Sequence, residues 1–135
     1  MRALRVDKLT YAALEATLVE YLAGRATDTV PVARMLAMQI DDIERRAHAL
    51  ADQLRTRGWQ ADVIDGVSAI GGGSAPGVEL PTKLVAVSRD GESADVTEAA
   101  LRGRRPPIVA RIENDRVVLD LRTVDPSDDQ RLAEI

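Results

Sequence analysis

The sequence predicts an α+β domain in which helices pack on a small, mostly antiparallel sheet. Apolar residues recur at helical spacing before the first strand-like segment, and a glycine-rich stretch then separates two strand-like segments. A hairpin pattern follows in the last third of the chain. The predicted order is helix, helix, strand, strand, helix, strand, strand, helix. Since 135 residues suffice to bury one core, we expect a single domain over residues 1–135.

The composition argues against several classes of function. The chain has no cysteine and a single histidine, which excludes a disulfide frame and leaves no basis for a metal site built on these ligands. The aromatic share is 2% and the formal net charge is −4, so neither base stacking nor a basic field indicates nucleic-acid binding by the chain itself. With no signal peptide and no long apolar run, we expect a cytoplasmic protein without a membrane partner.

The first helix is predicted over residues 7–22, where apolar residues fall at helical spacing. Asp7 or Thr10 can cap its start, and Gly24 suits the position just past its end. A break follows, and a short helix is then predicted over residues 32–38.

A longer helix is predicted from Asp41 to about Arg57, with Asp41 as its cap and Gly58 as its stop. His48 lies within it and is expected at the surface rather than as a ligand. The helix is predicted to have one apolar face and one solvated face. The apolar stripe is Ile40, Ile43, Ala47, Leu50 and Leu54, and the solvated face is Glu44, Arg45, Arg46, Asp52, Arg55 and Arg57.

Strand-like segments over residues 59–67 and 82–88 flank a stretch over residues 71–81 that holds four glycines and two prolines. Such a composition excludes a regular helix or a central strand. The stretch lacks the Gly-Lys-Ser/Thr ending of a phosphate-binding P-loop. A structural turn and a loop that lines a site both stay open. The candidates for lining a site are Gly71, Gly72, Gly73 and Ser74.

The rest of the chain predicts one helix, one hairpin and a last helix. Ser93 caps the helix, which ends at Gly103. The hairpin joins residues 108–112 to residues 116–121, and Asp125-Pro126 opens the last helix. The apolar side of the Ser93-capped helix is predicted to be Val96, Ala99, Ala100 and Leu101.

Three segments carry a resemblance to a known family. They are residues 2–10 with 12–18, the glycine stretch Gly71-Gly72-Gly73-Ser74 with residues 76–81, and residues 111–124. In that order they resemble the corresponding segments of bacterial selenocysteine synthase, the L-seryl-tRNA(Sec) selenium transferase family. Ala75 stands where the family usually has leucine, and residues 23–38 match loosely.

The resemblance implies a pyridoxal-phosphate enzyme of the aspartate-aminotransferase fold type, which converts seryl-tRNA(Sec) to selenocysteyl-tRNA(Sec) with selenophosphate. The family is a homo-oligomer built from dimers. Its cofactor-binding lysine lies on a large domain upstream of the matched part, so Lys8 and Lys83 are not expected to be that lysine. The chain then corresponds to the C-terminal small domain, which alone would bind no cofactor and be inactive. Its helix over residues 1–22 would dock on the large domain.

The resemblance also places a donor site at Arg2 and Arg5, which match the arginine pair that the family uses to hold the phosphoryl donor. A guanidinium group stays charged and offers a planar fork of donors to phosphate-type oxygens, so the chemistry agrees with that role. An ordinary solvated basic helix end is the alternative interpretation.

Fold relatives commonly bind a substrate carboxylate with an arginine of the small domain. Arg111 and Arg122 are the candidates here, because both are expected on strands. A seryl ester has no free carboxylate, however, which puts that role in doubt. Ion pairs with Glu113 or Asp120 are the alternative.

Two other functions stay open at this point. Related pyridoxal-phosphate lyases, which act on a small amino acid or amino sugar, share this small domain. A free-standing interaction module would instead bind a partner through the face that the large domain normally covers.

Overall fold

The computed structural model describes residues 6–70 and 77–135. It separates the chain into two compact units, Met1–Met38 and Gln39–Ile135. The α+β class is confirmed, because the described residues form helices and a four-stranded antiparallel sheet. The sequence predicted one domain rather than two units, and the assignment of residues 1–135 to one domain of a longer enzyme stays a prediction.

The first unit is helical. Asp7 caps its first helix as predicted, since its Oδ1 accepts from the backbone N–H of Thr10 at 2.9 Å. Gly24 follows the helix with a φ of +71°, a conformation that favours glycine. The predicted break contains one turn of helix. The helices of this unit are α1 (Lys8–Leu22), α2 (Ala26–Thr29) and α3 (Pro31–Ala37).

Helix α1 has apolar side chains but, over its fully described length, no buried residue. Leu9 is 83% exposed and Leu22 is 89% exposed. Leu9 and Leu18 are nine residues apart, which at about 100° per residue places them on opposite sides of the helix. The apolar residues therefore do not form the single stripe of a helix that packs on one neighbour. The exposed large side chains are Leu9, Tyr11, Leu14, Leu18, Val19, Tyr21 and Leu22.

The second unit begins with α4 (Ile40–Thr56). The predicted apolar stripe is buried except for Ile40, which is 39% exposed. The predicted cap was wrong, because the helix starts one residue before Asp41 and its N-cap is Gln39. Asp41 instead lies in the first turn, where a carboxylate still interacts favourably with the helix dipole. The buried residues of α4 are Ile43, Ala47, Leu50, Ala51 and Leu54.

The sheet is formed by four strands, β1 (Gln60–Ala69), β2 (Glu79–Ser88), β3 (Arg111–Glu113) and β4 (Arg116–Asp120). Their order is β1-β2-β4-β3, and every neighbouring pair is antiparallel. Residues 84–87 of β2 are all buried, which confirms the burial on both faces that the continuous apolar run predicted. The β3–β4 hairpin turns through Asn114 and Asp115, both with positive φ.

Helix α5 (Ala94–Arg102) is capped by Ser93 as predicted, but it buries a different face. Its buried residues are Ala94, Thr97 and Leu101, at the i, i+3, i+7 spacing of one helical stripe. Val96 is 57% exposed, so the predicted apolar side was largely wrong. Ala99 and Ala100 are exposed as well.

The chain ends in short turns that pack on α4. Two 3-10 turns, Leu121–Thr123 and Pro126–Asp128, lead into α6 (Asp129–Leu132). Arg46 of α4 was expected on the solvated face, but only 11% of its side chain is exposed. Its Nε and Nη2 bind the Asp129 carboxylate at 2.7 Å, because the α4 surface at this point faces the C-terminal segment rather than solvent.

Candidate functional site

Several of the predicted site residues lie outside the described residues. Arg2 and Arg5 precede residue 6, and the glycine candidates fall in the gap between residues 70 and 77. The donor role of the two arginines therefore stays a prediction. The same holds for a lining role of Gly71, Gly72, Gly73 and Ser74.

The glycine stretch connects two strands that pair directly with each other. Ala69 and Glu79 are partners in the antiparallel register, so the stretch connects two strands of one sheet, as predicted, and these strands form a hairpin. Strand β4 pairs with β2 only over Leu84–Val87. The part of the hairpin beyond that pairing, residues 65–69 of β1 and 79–83 of β2, is called the hairpin arm below.

A close approach of backbone to side chain occurs where the arm begins. A Cβ added to Gly66 would lie 2.3 Å from Cδ1 and 2.8 Å from Cγ of Leu84. Leu84 is fully buried, so its side chain has little room to move. Only glycine fits at residue 66 without a shift of its neighbours. An isolated glycine within a strand pattern is a known signal of such an approach, but no close contact was predicted for Gly66 from the sequence.

The carboxylate of Asp120, at the end of β4, binds both strands of the arm. Ser68 Oγ donates to Oδ2 at 2.6 Å, and Thr82 Oγ1 donates to Oδ1 at 3.2 Å. The backbone N–H of Arg122 donates to Oδ1 at 3.0 Å. Ser68 and Thr82 are buried, so these bonds satisfy hydroxyls that water does not reach. Sequence analysis missed both hydroxyls, although polar residues within buried strands generally have a bonding partner.

Arg111 and Arg122 bind backbone carbonyls of the arm. Arg111 opens β3, and its Nη2 donates to Val67 O at 3.0 Å. Arg122 lies in the 3-10 turn after β4, so its predicted strand position was wrong: the strand ends at Asp120, whose side chain caps the turn. Its Nη2 donates to Pro81 O at 2.8 Å. The predicted ion pair of Arg111 with Glu113 is confirmed.

Lys83 is the second lysine of the chain and is held by two carboxylates. Its Nζ lies 2.7 Å from Asp65, its cross-strand partner, and 3.2 Å from Glu44 of α4. Hydrogen bonds to Asp65 and then to Glu44 raise the pKa of Lys83 above its ordinary value of 10.5. The amine is therefore protonated at neutral pH, which is the opposite of what a nucleophilic lysine needs.

Comparison with known proteins assigns the chain to a family. Residues 1–125 match the family model described as SelA: L-seryl-tRNA selenium transferase. The chain belongs to the L-seryl-tRNA selenium transferase family. The family resemblance seen in the sequence is thereby confirmed.

Individual selenium transferases support the same assignment. The chain is 47% identical over 128 residues to the L-seryl-tRNA(Sec) selenium transferase of Nitratidesulfovibrio vulgaris. The aligned residues cover 92% of this chain and 27% of that protein. The chain is 46% identical over 129 residues to the protein of that name from Geobacter sulfurreducens, covering 92% and 28%. The protein of that name from Clostridium botulinum is 38% identical over 126 residues, covering 91% and 27%. The chain thus spans little more than a quarter of the length of these curated relatives.

The described residues of this selenium transferase family member offer little basis for metal chemistry. They contain no group of three or more His, Cys, Asp or Glu that could hold a metal ion. The His48 side chain is 59% exposed, with Glu44 as its ion-pair neighbour at 4.0 Å, which confirms the predicted surface position. None of the helices in residues 6–70 and 77–135 is long and apolar enough to cross a bilayer.

A groove of about 610 Å³ lies in the second unit, between the segment that follows α5 and the C-terminal turns. Three arginines and three carboxylates line it, so the formal charges of the lining cancel. The arginines are Arg104, Arg105 and Arg131, and the carboxylates are Asp125, Asp128 and Glu134.

Proposed function

We propose that this chain is one domain of a selenium transferase that converts L-seryl-tRNA(Sec) to L-selenocysteyl-tRNA(Sec) with selenophosphate as the donor. The observation that carries the proposal is the family match over residues 1–125, together with 38–47% identity to three proteins of that name. The role belongs to selenocysteine synthesis. The C-terminal small-domain position within an aspartate-aminotransferase-type fold is part of the proposal and comes from the sequence resemblance.

We infer that pyridoxal phosphate, the cofactor that the family resemblance implies, is held by other parts of the enzyme. Lys83 does not fit the cofactor, because Asp65 and Glu44 hold it in the charged form. Lys8, at the first position of α1, is exposed, whereas a lysine that forms a Schiff base is desolvated or has a cationic neighbour. We therefore expect the isolated chain to be inactive and to bind no cofactor.

We assign donor binding to Arg2 and Arg5. Selenophosphate carries phosphoryl oxygens, and a guanidinium group binds such oxygens through two parallel charge-assisted hydrogen bonds. Both residues come shortly before Asp7, the cap of α1. Their side chains would hold the donor and keep its charge neutralised while selenium is transferred.

We further propose that α1 docks on the remainder of the enzyme. Its exposed apolar side chains lie on more than one side of the helix. The matched part is only 27% of the Nitratidesulfovibrio vulgaris relative, so the rest of such an enzyme could cover these side chains. The enzyme is proposed to be a cytoplasmic homo-oligomer built from dimers, in line with the family resemblance and with a tRNA substrate.

Incorporation of labelled selenium tests the proposed function. Intact enzyme that contains this chain is incubated with seryl-tRNA(Sec) and labelled selenophosphate, and the aminoacyl-tRNA is then isolated. The proposal expects label in selenocysteyl-tRNA(Sec). An enzyme that transfers no label but releases product from a small amino acid or amino sugar would be a lyase instead.

A further inference from the structure

We propose that Arg111, Asp120 and Arg122 are positioning residues that fix the hairpin arm, and that neither arginine binds a substrate carboxylate. In this role they hold residues 65–69 and 79–83 against β3, β4 and the turn after β4. The consequence for catalysis rests on the proposed function, whereas the positioning itself rests on contacts among described residues.

The arm needs support because, within residues 6–70 and 77–135, no further strand pairs with it. Residues 79–83 of β2 lie beyond the segment that pairs with β4. A two-stranded hairpin without further packing is only marginally stable in water. Contacts from outside the hairpin must therefore determine its course.

The two arginines act on the same rung of the hairpin. Val67, whose carbonyl accepts from Arg111, and Pro81, whose carbonyl accepts from Arg122, are directly opposite each other in the β1–β2 register. One rung is thus held through both of its strands, by side chains that enter from β3 and from the turn after β4. The rung lies two residues from Ala69 and Glu79, the last paired residues before the glycine stretch.

Asp120 adds a second attachment beside that rung. Its carboxylate accepts from Ser68 on β1 and from Thr82 on β2, and it also accepts from the backbone N–H of Arg122. Ser68 follows Val67, and Thr82 follows Pro81, so the two attachments involve consecutive residues on each strand. Together they hold the arm at four neighbouring positions.

The same contacts argue against a carboxylate clamp. Arg122 is 6% exposed and donates to a carbonyl of the arm, so a substrate carboxylate would have to enter a buried site and displace that bond. Arg111 donates to both Glu113 and Val67. A guanidinium group that already donates to a carboxylate and a carbonyl has fewer N–H groups left to bind a substrate carboxylate.

Hydrogen exchange with peptide resolution, on intact enzyme that contains this chain, tests the positioning role. In Arg122→Met and Asp120→Ala we expect amides of the arm to exchange at least about tenfold faster, since a charge-assisted hydrogen bond is lost in each. Amides of α4 should keep their protection. Arg102→Met on α5, which removes an exposed pair with Glu98, is the matched control and should leave the arm unchanged.

Milder variants keep the test valid if a buried change prevents folding. Ser68→Ala removes one bond to Asp120, and Arg111→Gln alters a half-exposed side chain. Both should increase exchange in the arm by a smaller factor. Exchange at parental rates in all four variants would overturn the positioning role, whether or not the enzyme transfers selenium.

Substrate kinetics on the same preparations separate the two roles of the arginines. Positioning predicts that Asp120→Ala and Arg122→Met change the KM for the aminoacyl substrate in the same direction, because both remove contacts that hold the arm. A carboxylate clamp predicts that Arg122→Met raises the KM for the aminoacyl substrate, while Asp120→Ala, which removes a negative charge, leaves it unchanged or lowers it. That second pattern would overturn the proposal. If labelled selenium is never transferred but the arm exchanges faster, the proposed function fails and the positioning role stands.

Discussion

At the scale of single residues, the chain shows how one position can determine the path of a strand. Gly66 lies against Leu84, and the space that a Cβ would need is already occupied at 2.3 Å. Neighbouring residues on both strands are then held by the Asp120 carboxylate and by two arginines. The presence of glycine at residue 66 is therefore explained by its contact with Leu84 and not by the general preference of strands for β-branched residues.

Gly66→Ala should destabilise the chain. The added methyl group overpacks a buried leucine, and overpacking of a close-packed core typically costs about 1–3 kcal/mol. Urea unfolding of the chain followed by circular dichroism measures the change in the free energy of unfolding.

Gly103→Ala provides the matched control for that measurement. Gly103 has a negative φ of −74°, and an added Cβ would meet nothing closer than 3.4 Å. Its free energy of unfolding should stay within about 1 kcal/mol of the parent. Equal losses in both variants would mean that the contact with Leu84 is not the cause.

At the scale of elements, patterns of apolar residues predicted most of the fold. Helix α4 buries four of the five residues named in its stripe, because it packs on β1 and β2 of the sheet. The continuous apolar run of β2 predicted burial on both faces, and Asn114 and Asp115 mark the hairpin turn. These features depend on local spacing, which the sequence contains directly.

Other elements depend on partners that spacing does not reveal. Arg46 resembles the solvated residues around it, yet it binds Asp129, which is 83 residues later in the chain. In α5, Ala99 and Ala100 were predicted to lie on the buried face, but Thr97 is buried instead, and its hydroxyl donates to Glu92. The arm contacts of Arg111 also join distant segments. A single sequence gives no signal for such pairs.

Helix α1 should expose an apolar surface in the isolated chain. Leu9→Gln with Leu22→Gln should reduce the fluorescence of a dye that binds apolar surface, or reduce self-association that hides this surface. Each leucine, if docked in the intact enzyme, would contribute about 1.5–3 kcal/mol. Dye titration and light scattering measure the two outcomes.

Glu15→Gln on the same helix is the control for that experiment, since Glu15 is exposed and polar. It should change neither the fluorescence nor the apparent mass. A parent chain that is monomeric and binds no dye would contradict the docking of α1.

At the scale of the whole molecule, the chain corresponds to only part of the relatives that it matches. It covers 27–29% of the length of the first curated relatives that it matches. The family could be identified from the sequence because its segments occur in order along almost the whole chain. The donor site could be predicted only through that resemblance, since two arginines three residues apart also suit an ordinary helix end.

Donor kinetics of the complete enzyme test the central claim most directly. Arg2→Ala and Arg5→Ala should each weaken the use of selenophosphate, because each removes charge-assisted hydrogen bonds worth about 1.5–3 kcal/mol to the phosphoryl oxygens. The loss in kcat/KM for selenophosphate should be about tenfold to over a hundredfold. Lysine at either position should restore activity only in part, since it keeps the charge but not the planar fork.

Steady-state rates at varied selenophosphate, with Arg45→Ala as the control on the exposed face of α4, give the decisive comparison. The account predicts a specific loss in the Arg2 and Arg5 variants, with cofactor binding and fold unchanged, and parental kinetics for the control. Parental kinetics in both variants, or an equal loss in the control, would contradict the account and leave Arg2 and Arg5 as a solvated helix end.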